Sequence, residues 1–210
     1  KKVADRVERN TFRRKGEGAT IVCASGISPS GPIHLGNFRE IMTVHLIAEE
    51  LKARGREVDH VHSWDDLDRF RKVPFGVPEE FEQYIGNALA DIPDPFGKYS
   101  SYAERYMAEF VEVMEQLGIH ARYIRQSEAY RSGQYRQQIK LAMEKRTEIF
   151  DILAQYQTPG FHDKPEEVRR RTYYPFQPYC EVCHKDFTKV TGYDRATATI
   201  KYECEHCNRQ

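Results

Sequence analysis

Much is scarce in this sequence, and each scarcity closes off a class of function. No apolar run among the 210 residues reaches membrane-spanning length. The charged opening stretch, residues 1–14, is not a secretory signal. A cytoplasmic protein without a membrane anchor is therefore expected. Net charge is absent too, because 32 basic residues balance 32 acidic ones. No global field recruits nucleic acid, and any RNA contact must come from a local patch. Internal repeats and low-complexity segments are lacking. There is no initiator Met, so the chain is expected to have been processed or cut from something longer. Its length suffices to bury one good core and a small second unit.

What is present centres on Cys23-Ala24-Ser25-Gly26-Ile27-Ser28-Pro29-Ser30-Gly31-Pro32-Ile33-His34-Leu35-Gly36-Asn37. Residues 19–24 read as a short buried strand, followed by a turn rich in Gly, Ser and Pro. Leu35, Phe38, Met42 and Leu46, with Ile41, Val44, Ala48 and Leu51 alongside, then follow helical spacing as far as Gly55. A helix start attracts anions through its unpaired N–H groups and the positive end of its dipole. His34 adds a ring donor there, Asn37 an amide donor, and Gly36 leaves the backbone open to a flat base. An ordinary strand–turn–helix unit of an α/β protein is the other reading of the same pattern.

Taken in order, residues 3–14 predict an amphipathic helix ended by Gly16 and Gly18, and residues 57–64 a second strand. This βαβ pattern implies parallel strands, a right-handed crossover, and ligands beyond the carboxyl ends of the strands. There stands Trp64-Asp65-Asp66-Leu67-Asp68-Arg69-Phe70-Arg71-Lys72-Val73-Pro74. Three carboxylates within four residues repel one another unless cations neutralise them. Arg69 and Arg71 could do so within a solvated charged loop. Alternatively Asp65 and Asp66 receive an ammonium group of a substrate; a divalent ion suits three sequence neighbours less well. Residues 74–100 are rich in Pro and Gly, with a short helix expected near 79–86. A helix over 102–117, a strand over 119–124, a turn capped by Ser127 and a helix from beyond Gly133 to about 156 follow. The last is expected to bury Tyr135, Ile139, Met143, Ile149 and Leu153.

Composition shifts at Thr158-Pro159-Gly160, taken as the boundary between a first domain, 1–157, and a second, 158–210. The second carries Cys180-Glu181-Val182-Cys183 and, twenty residues on, Cys204-Glu205-His206-Cys207. Two such pairs match a four-thiolate structural zinc site, Cys180, Cys183, Cys204 and Cys207, with no open position for substrate. Disulfides are the alternative, but they would leave Cys23 over in a chain that reads as cytosolic. Cys23 is read as inert packing, and His184 and His206 as neighbours of the knuckles. Residues 188–191 and 197–202, joined through Gly192-Tyr193-Asp194, predict the two strands of a zinc ribbon. Ahead of it, Arg169, Arg170 and Arg171 with Tyr173 and Tyr174 form either an RNA-gripping patch or a solvated loop.

The string Ser-Gly-Ile-Ser-Pro-Ser-Gly-x-x-His-x-Gly-Asn-x-Arg-Glu resembles the signature of class I aminoacyl-tRNA synthetases, in the form used by archaeal-type class I lysyl-tRNA synthetases. Their HIGH motif corresponds to His34-Leu35-Gly36-Asn37, with Asn in place of the last His. The Trp64 to Pro74 string resembles the same family, in the right order. The resemblance implies the amino-terminal half of a Rossmann-type domain with an inserted, ribbon-bearing segment for the tRNA acceptor stem. It implies activation of lysine by ATP with Mg²⁺ to lysyl-adenylate and pyrophosphate, then transfer to the 3′ end of tRNA(Lys). By matching position, Pro29, Ser30, His34, Gly36 and Asn37 meet ATP, with His34 and Asn37 as the catalytic pair. Gly26 and Ser28, where the family more often has Thr, line the lysine pocket with Asp65 and Asp66. No K-M-S-K-S-like loop is found, so a portion of a longer synthetase, unable to aminoacylate by itself, is expected. A lysine- or adenylate-binding paralogue and a zinc-ribbon RNA-binding module are the remaining alternatives.

Overall fold

Alternating burial along the first strand, and burial of consecutive residues His60, Val61 and His62 in the second, determine how the amino-terminal part folds. The structure, a computed structural model, describes residues 1–157 and 164–208. It divides into two compact units, Lys1–Tyr84 with Ala88–Ala129, and Ile85–Asn87 with Tyr130–Gln210. The expected boundary at Thr158-Pro159-Gly160 lies outside the described residues.

In the first unit, α1 (Lys2–Lys15) ends at Gly16, whose φ of 92° suits glycine. Strand β1 (Ile21–Ile27) pairs in parallel with β2 (Val58–Trp64), and β2 with β3 (Arg122–Arg125), in the order β1-β2-β3. An α/β unit with parallel strands was expected and is found. Strand β1 runs three residues further than its apolar run predicts, so Gly26 and Ile27 are strand residues. It is also only half-buried: Ile21, Cys23, Ser25 and Ile27 face inward while Val22 is 49% exposed. Cys23 packs with Ala4, Ile21, Ala48 and Leu51, and burial raises its thiol pKa, as suits inert packing.

Helix α2 (Leu35–Ala53) has the expected extent but a different buried face. Ile41, Ala48 and Leu51 point inward, whereas Leu35 is 83% and Leu46 61% exposed. Both apolar sets fit helical spacing in the sequence, and only packing on β1 and α1 selects between them. Helix α3 (Tyr102–Gln116), capped by the Ser101 hydroxyl, buries Tyr102, Tyr106, Met107, Phe110 and Met114. Ile119 belongs to the turn after α3, bonding back to Met114, and not to β3. Between β1 and β2, Ser25 and His62 are register partners joined at 2.8 Å. Burial, then the charge of His60, pushes His62 down to about 4, so its ring is neutral at pH 7.

The Pro- and Gly-rich stretch is irregular but packed. It holds two 3₁₀ turns, Glu79–Tyr84 and Leu89–Asp91, and buries Phe81, Leu89 and Ile92. Its organiser is Asp94, which accepts from the N–H groups of Phe96, Lys98 and Tyr99 and forms a bidentate pair with Arg105 at 2.5 and 2.9 Å.

The second unit contains α5 (Arg136–Glu144), α6 (Arg146–Ala154), α7 (Glu166–Thr172) and the antiparallel pair β4 (Thr188–Asp194) and β5 (Thr199–Cys204). Short helix α4 (Gln126–Arg131) spans the division between the units. The single helix expected from beyond Gly133 is two, broken at Lys145 (φ −95°, ψ 14°). Neither Gly nor Pro marks that break. The Arg195 guanidinium donates to the freed carbonyl of Glu144, a distant contact the sequence does not announce. Met143 is buried as expected, Tyr135, Ile139 and Ile149 are half-buried, and Leu153 is exposed. Strand β4 is longer than expected, with Gly192, Tyr193 and Asp194 in it and a register shift between Val190 and Gly192; the turn follows them, and β5 starts and ends two residues later than expected.

The ionised form of Asp94 is favoured despite burial, because Arg105 and three backbone N–H groups outweigh desolvation. A carboxylate whose folded pKa is depressed stabilises fully above its unfolded pKa of about 4 and loses that contribution as pH falls below it. Asp94→Asn is expected to lower stability by about 3 kcal/mol at pH 7. The gap to wild type should narrow in urea unfolding at pH 3; an equal gap at both pH values would refute the charge account.

Candidate functional site

Two turns at the carboxyl ends of β1 and β2 carry the candidate site. After β1 the chain passes through Ser28 and the buried Pro29 to the start of α2. His34 is the N-cap in extended backbone (φ −110°, ψ 174°), and its Nδ1 accepts from the Gly36 N–H at 3.1 Å. Asn37 Oδ1 reaches back to the His34 N–H at 3.4 Å, completing a capping box. Both caps consume acceptor atoms. With Nδ1 accepting, the neutral His34 ring carries its proton on Nε2, and Asn37 keeps its amide N–H groups. The two donors expected from the sequence are therefore retained and oriented by the helix start.

Gly36 has a structural task in the cap. A Cβ there would lie 2.9 Å from His34 Cε1 and 3.0 Å from Nδ1. The His34 ring thus packs closely against the bare Cα of Gly36. The missing side chain makes the cap possible.

Ser28, Ser30, His34 and Asn37 line a cavity of about 450 Å³ together with Asp68, Arg69, Arg71 and Lys72. In the sequence, Arg69 and Arg71 read as counter-charges for their acidic neighbours; here both line the same cavity as the cap residues, and Lys72 joins them. Buried Phe70 anchors this second wall edge-on to Tyr102 at 5.2 Å. The Tyr102 hydroxyl donates to the Ser30 carbonyl at 2.9 Å, tying both walls to one side chain.

The carboxylates part company. Asp66 is 1% exposed, and its two oxygens accept from the Ser127 N–H and hydroxyl at 2.8 and 2.5 Å. Ser127 therefore holds Asp66 and is not the helix cap read from the sequence, because α4 has already begun at Gln126. Asp65 is half-buried; burial first, then Asp68, Asp66 and Glu40, raise its pKa. A Cβ on Gly26 would lie 3.9 Å from Asp65 Oδ2, and the Gly26 N–H donates to Glu40 at 3.0 Å. Glu40, three residues after Asn37 on α2, is a further acidic group that sequence reasoning did not single out. Its signals were that helical offset and its place as the last residue of the signature string.

In the second unit, Cys180, Cys183, Cys204 and Cys207 bring their Sγ atoms within 4.8 Å of one another, and these four could hold a metal ion. Cys180 and Cys207, and Cys183 and Cys204, stand 3.6 Å apart. A disulfide requires about 2 Å, whereas thiolates 2.3 Å from a tetrahedral ion lie about 3.8 Å apart. The residue after each knuckle, His184 and Asn208, adopts the same left-handed turn (φ 57° and 54°). The Cys183 and Val182 N–H groups help lower the Cys180 thiol to about 6. His206 stacks on Phe187 at 5.9 Å and is not among the four. The arginine run is largely engaged within the unit. Arg170 pairs with Asp151 at 2.5 and 2.7 Å, and Arg169 bonds Gln157 and lies over Phe150. The run sits on α7, a helix not foreseen from the sequence.

Gly36→Ala is expected to displace the His34 ring, shift its nitrogen NMR signals away from the Nε2–H tautomer, and lower stability by about 1 kcal/mol through loss of the cap. Unchanged His34 signals would contradict the capping geometry.

Against known proteins, the family described as tRNA synthetases class I (K) matches residues 1–210. The lysine–tRNA ligase of Streptomyces coelicolor is 41% identical over 231 residues, covering 97% of this chain and 40% of that protein. That of Pyrococcus horikoshii is 39% identical over 201 residues, covering 96% and 37%. That of Methanosarcina barkeri is 34% identical over 206, covering 96% and 36%. The chain thus spans about two fifths of the length of the curated relatives it matches. With the family matching every residue and both signature turns assembled at the strand ends, the chain belongs to the class I (K) tRNA synthetases.

Proposed function

We propose that this chain supplies amino-acid-activating residues of a class I lysine–tRNA ligase, which joins lysine to ATP as lysyl-adenylate and charges tRNA(Lys). The observation that carries the reading is one cavity lined by the cap donors His34 and Asn37 and by Arg69, Arg71 and Lys72. In the reaction the lysine carboxylate attacks the α-phosphorus, and the bond to pyrophosphate breaks. His34 Nε2–H and the Asn37 amide donate to phosphate oxygens as charge grows on them, and Arg71 and Lys72 meet the departing pyrophosphate. Pro29 and Ser30 shape the turn beneath ATP, and Gly36 serves it by seating His34. Mg²⁺ carried with the ATP phosphates would share the neutralisation.

Lysine would lie against Gly26 and Ser28, its ε-ammonium facing Asp65 with Glu40 close by. Burial and neighbouring carboxylates make Asp65 costly to ionise alone, so a cation there relieves the site. Asp66 acts behind it, anchoring the loop through Ser127. The soft four-thiolate set and its spacing suit zinc in a structural role. Residues 1–157 would form the catalytic part, and 158–210 the acceptor-end segment, where Arg169, Arg170 and Arg171 were expected to meet RNA. A cytoplasmic location accords with this function; no described helix is long and apolar enough to cross a membrane.

Calorimetry with a non-hydrolysable lysyl-adenylate analogue is expected to show binding at least tenfold tighter than to arginyl or glutamyl analogues. Asp65→Asn should weaken the lysyl analogue roughly tenfold, the worth of one charge-assisted contact. Equal affinity for all three analogues would overturn the lysine assignment. Atomic emission should find one zinc per chain, and chelation should abolish amide protection in β4 and β5 but not in β1 and β2. Protection surviving in metal-free protein would rule out a structural metal.

A further inference from the structure

Behind the carboxylates of the candidate site lies a junction that neither signature string contains. Strand β3 pairs with the end of β2, Ser63 opposite Ile124 and Trp64 opposite Arg125, and α4 starts at once with Gln126. That register delivers two consecutive side chains, Gln126 and Ser127, to the two consecutive acids beyond β2. Ser127 takes Asp66 directly. Gln126 reaches Asp65 through one intermediary: its Nε2 donates to Ser63 Oγ at 2.7 Å, and Ser63 Oγ donates to Asp65 Oδ1 at 3.4 Å. All of these residues belong to the first unit. A hydroxyl proton rotates to suit its neighbours, and an amide N–H on one side of Ser63 Oγ turns that proton away, towards the carboxylate. The two oxygens of Asp65 are thereby divided. Oδ1 faces Ser63, while Oδ2 lies on the side of Gly26, where a Cβ would come within 3.9 Å of it and 3.5 Å of Ser63 Cβ.

We infer that Ser63 and Gln126 are positioning residues, which hold Asp65 with Oδ2 turned towards the ammonium group of the substrate. This assignment rests on the lysine reading of the site. Asp65 is half-buried and faces other acids: Asp68 and Asp66 on its own loop, and Glu40 on α2. A carboxylate so placed tends to take up a proton and lose its attraction for a cation. The Ser63 bond opposes this by favouring the ionised form. It does so without adding a positive charge. An Arg or Lys in place of Gln126 would neutralise Asp65 and compete with the incoming ammonium. A neutral amide–hydroxyl relay leaves the negative charge available, and it fixes the carboxylate before the ligand arrives.

The test begins with a carbon NMR titration of the Asp65 carboxyl in the ligand-free, zinc-loaded chain, its signal assigned by its loss in Asp65→Asn. Ser63→Ala and Gln126→Leu should each move the Asp65 midpoint up by about half a pH unit, roughly threefold in the ionisation constant, as loss of one weak hydrogen bond does. Ser63→Thr keeps the hydroxyl and should titrate as wild type. Gln126→Glu should move the midpoint further up, because a carboxylate there accepts the Ser63 proton and adds a like charge. Calorimetry on the same proteins, above the Asp65 midpoint, then compares the lysyl-adenylate analogue with a norleucyl one, identical but for the ammonium group. Ser63→Ala and Gln126→Leu should weaken the lysyl analogue about threefold and leave the norleucyl analogue unchanged. A purely structural role would weaken both analogues together and leave the midpoint where it was. An Asp65 midpoint that stays put in Ser63→Ala and Gln126→Leu would overturn the inference, as would a moved midpoint with undiminished preference for the lysyl analogue. A moved midpoint in a wild-type background that binds both analogues equally supports the relay and sinks the lysine reading alone.

Discussion

The unpaired N–H groups at the start of α2 are the constraint on which the site depends. A helix start must find acceptors, and here the residues that supply them are His34 and Asn37. Each has an acceptor and a donor at opposite sides of its polar group. Satisfying the helix with the acceptors leaves the donors oriented in the cavity lining. Capping the helix and orienting the free donors are thus one arrangement, and Gly36 is needed because a Cβ would displace the His34 ring.

Charge is then sorted by burial. The string from Asp65 to Lys72 mixes three acids and three bases within eight residues. Asp66 is drawn inward by Ser127, Asp65 sits beside Gly26, and Phe70 pins the following basic residues to Tyr102. Because Tyr102 also holds the Ser30 carbonyl, both walls of the cavity share one buried anchor. Rigid support of this kind keeps binding groups in place without reorganisation when a ligand arrives. Asp94 extends the same logic into the irregular stretch, where a buried carboxylate replaces the missing regular backbone bonding.

The cysteine-bearing unit follows a different rule. It buries few large apolar residues, and its two knuckles converge on four sulfurs within one coordination sphere. In a unit with so small a core, a metal ion held by those four sulfurs would substitute for apolar burial. Close packing still matters locally: a Cβ on Gly86 would meet the Phe187 ring at 2.5 Å, so a glycine from the distant segment Ile85–Asn87 completes the ribbon.

Local signals made a good part of this legible in advance. The spacing of the four cysteines, the strand–turn–helix around His34 and the βαβ order are short-range patterns, and they hold in the structure. Family membership was equally readable, because two specific strings occur in order. Other features needed the folded chain. Helical spacing could not select the Ile41 face of α2 over the exposed Leu35 and Leu46, since both apolar sets fit one period. The break at Lys145, the capture of Asp66 by Ser127, and the ion pair that withdraws Arg170 join residues far apart in sequence or carry no breaker residue. Sequence by itself determined which chemical groups exist and which local turns present them, because those depend on neighbours a few residues away. Tertiary structure alone decided which of those groups are buried, paired or left facing a cavity, because burial and partnership are set by chain segments that meet only after folding.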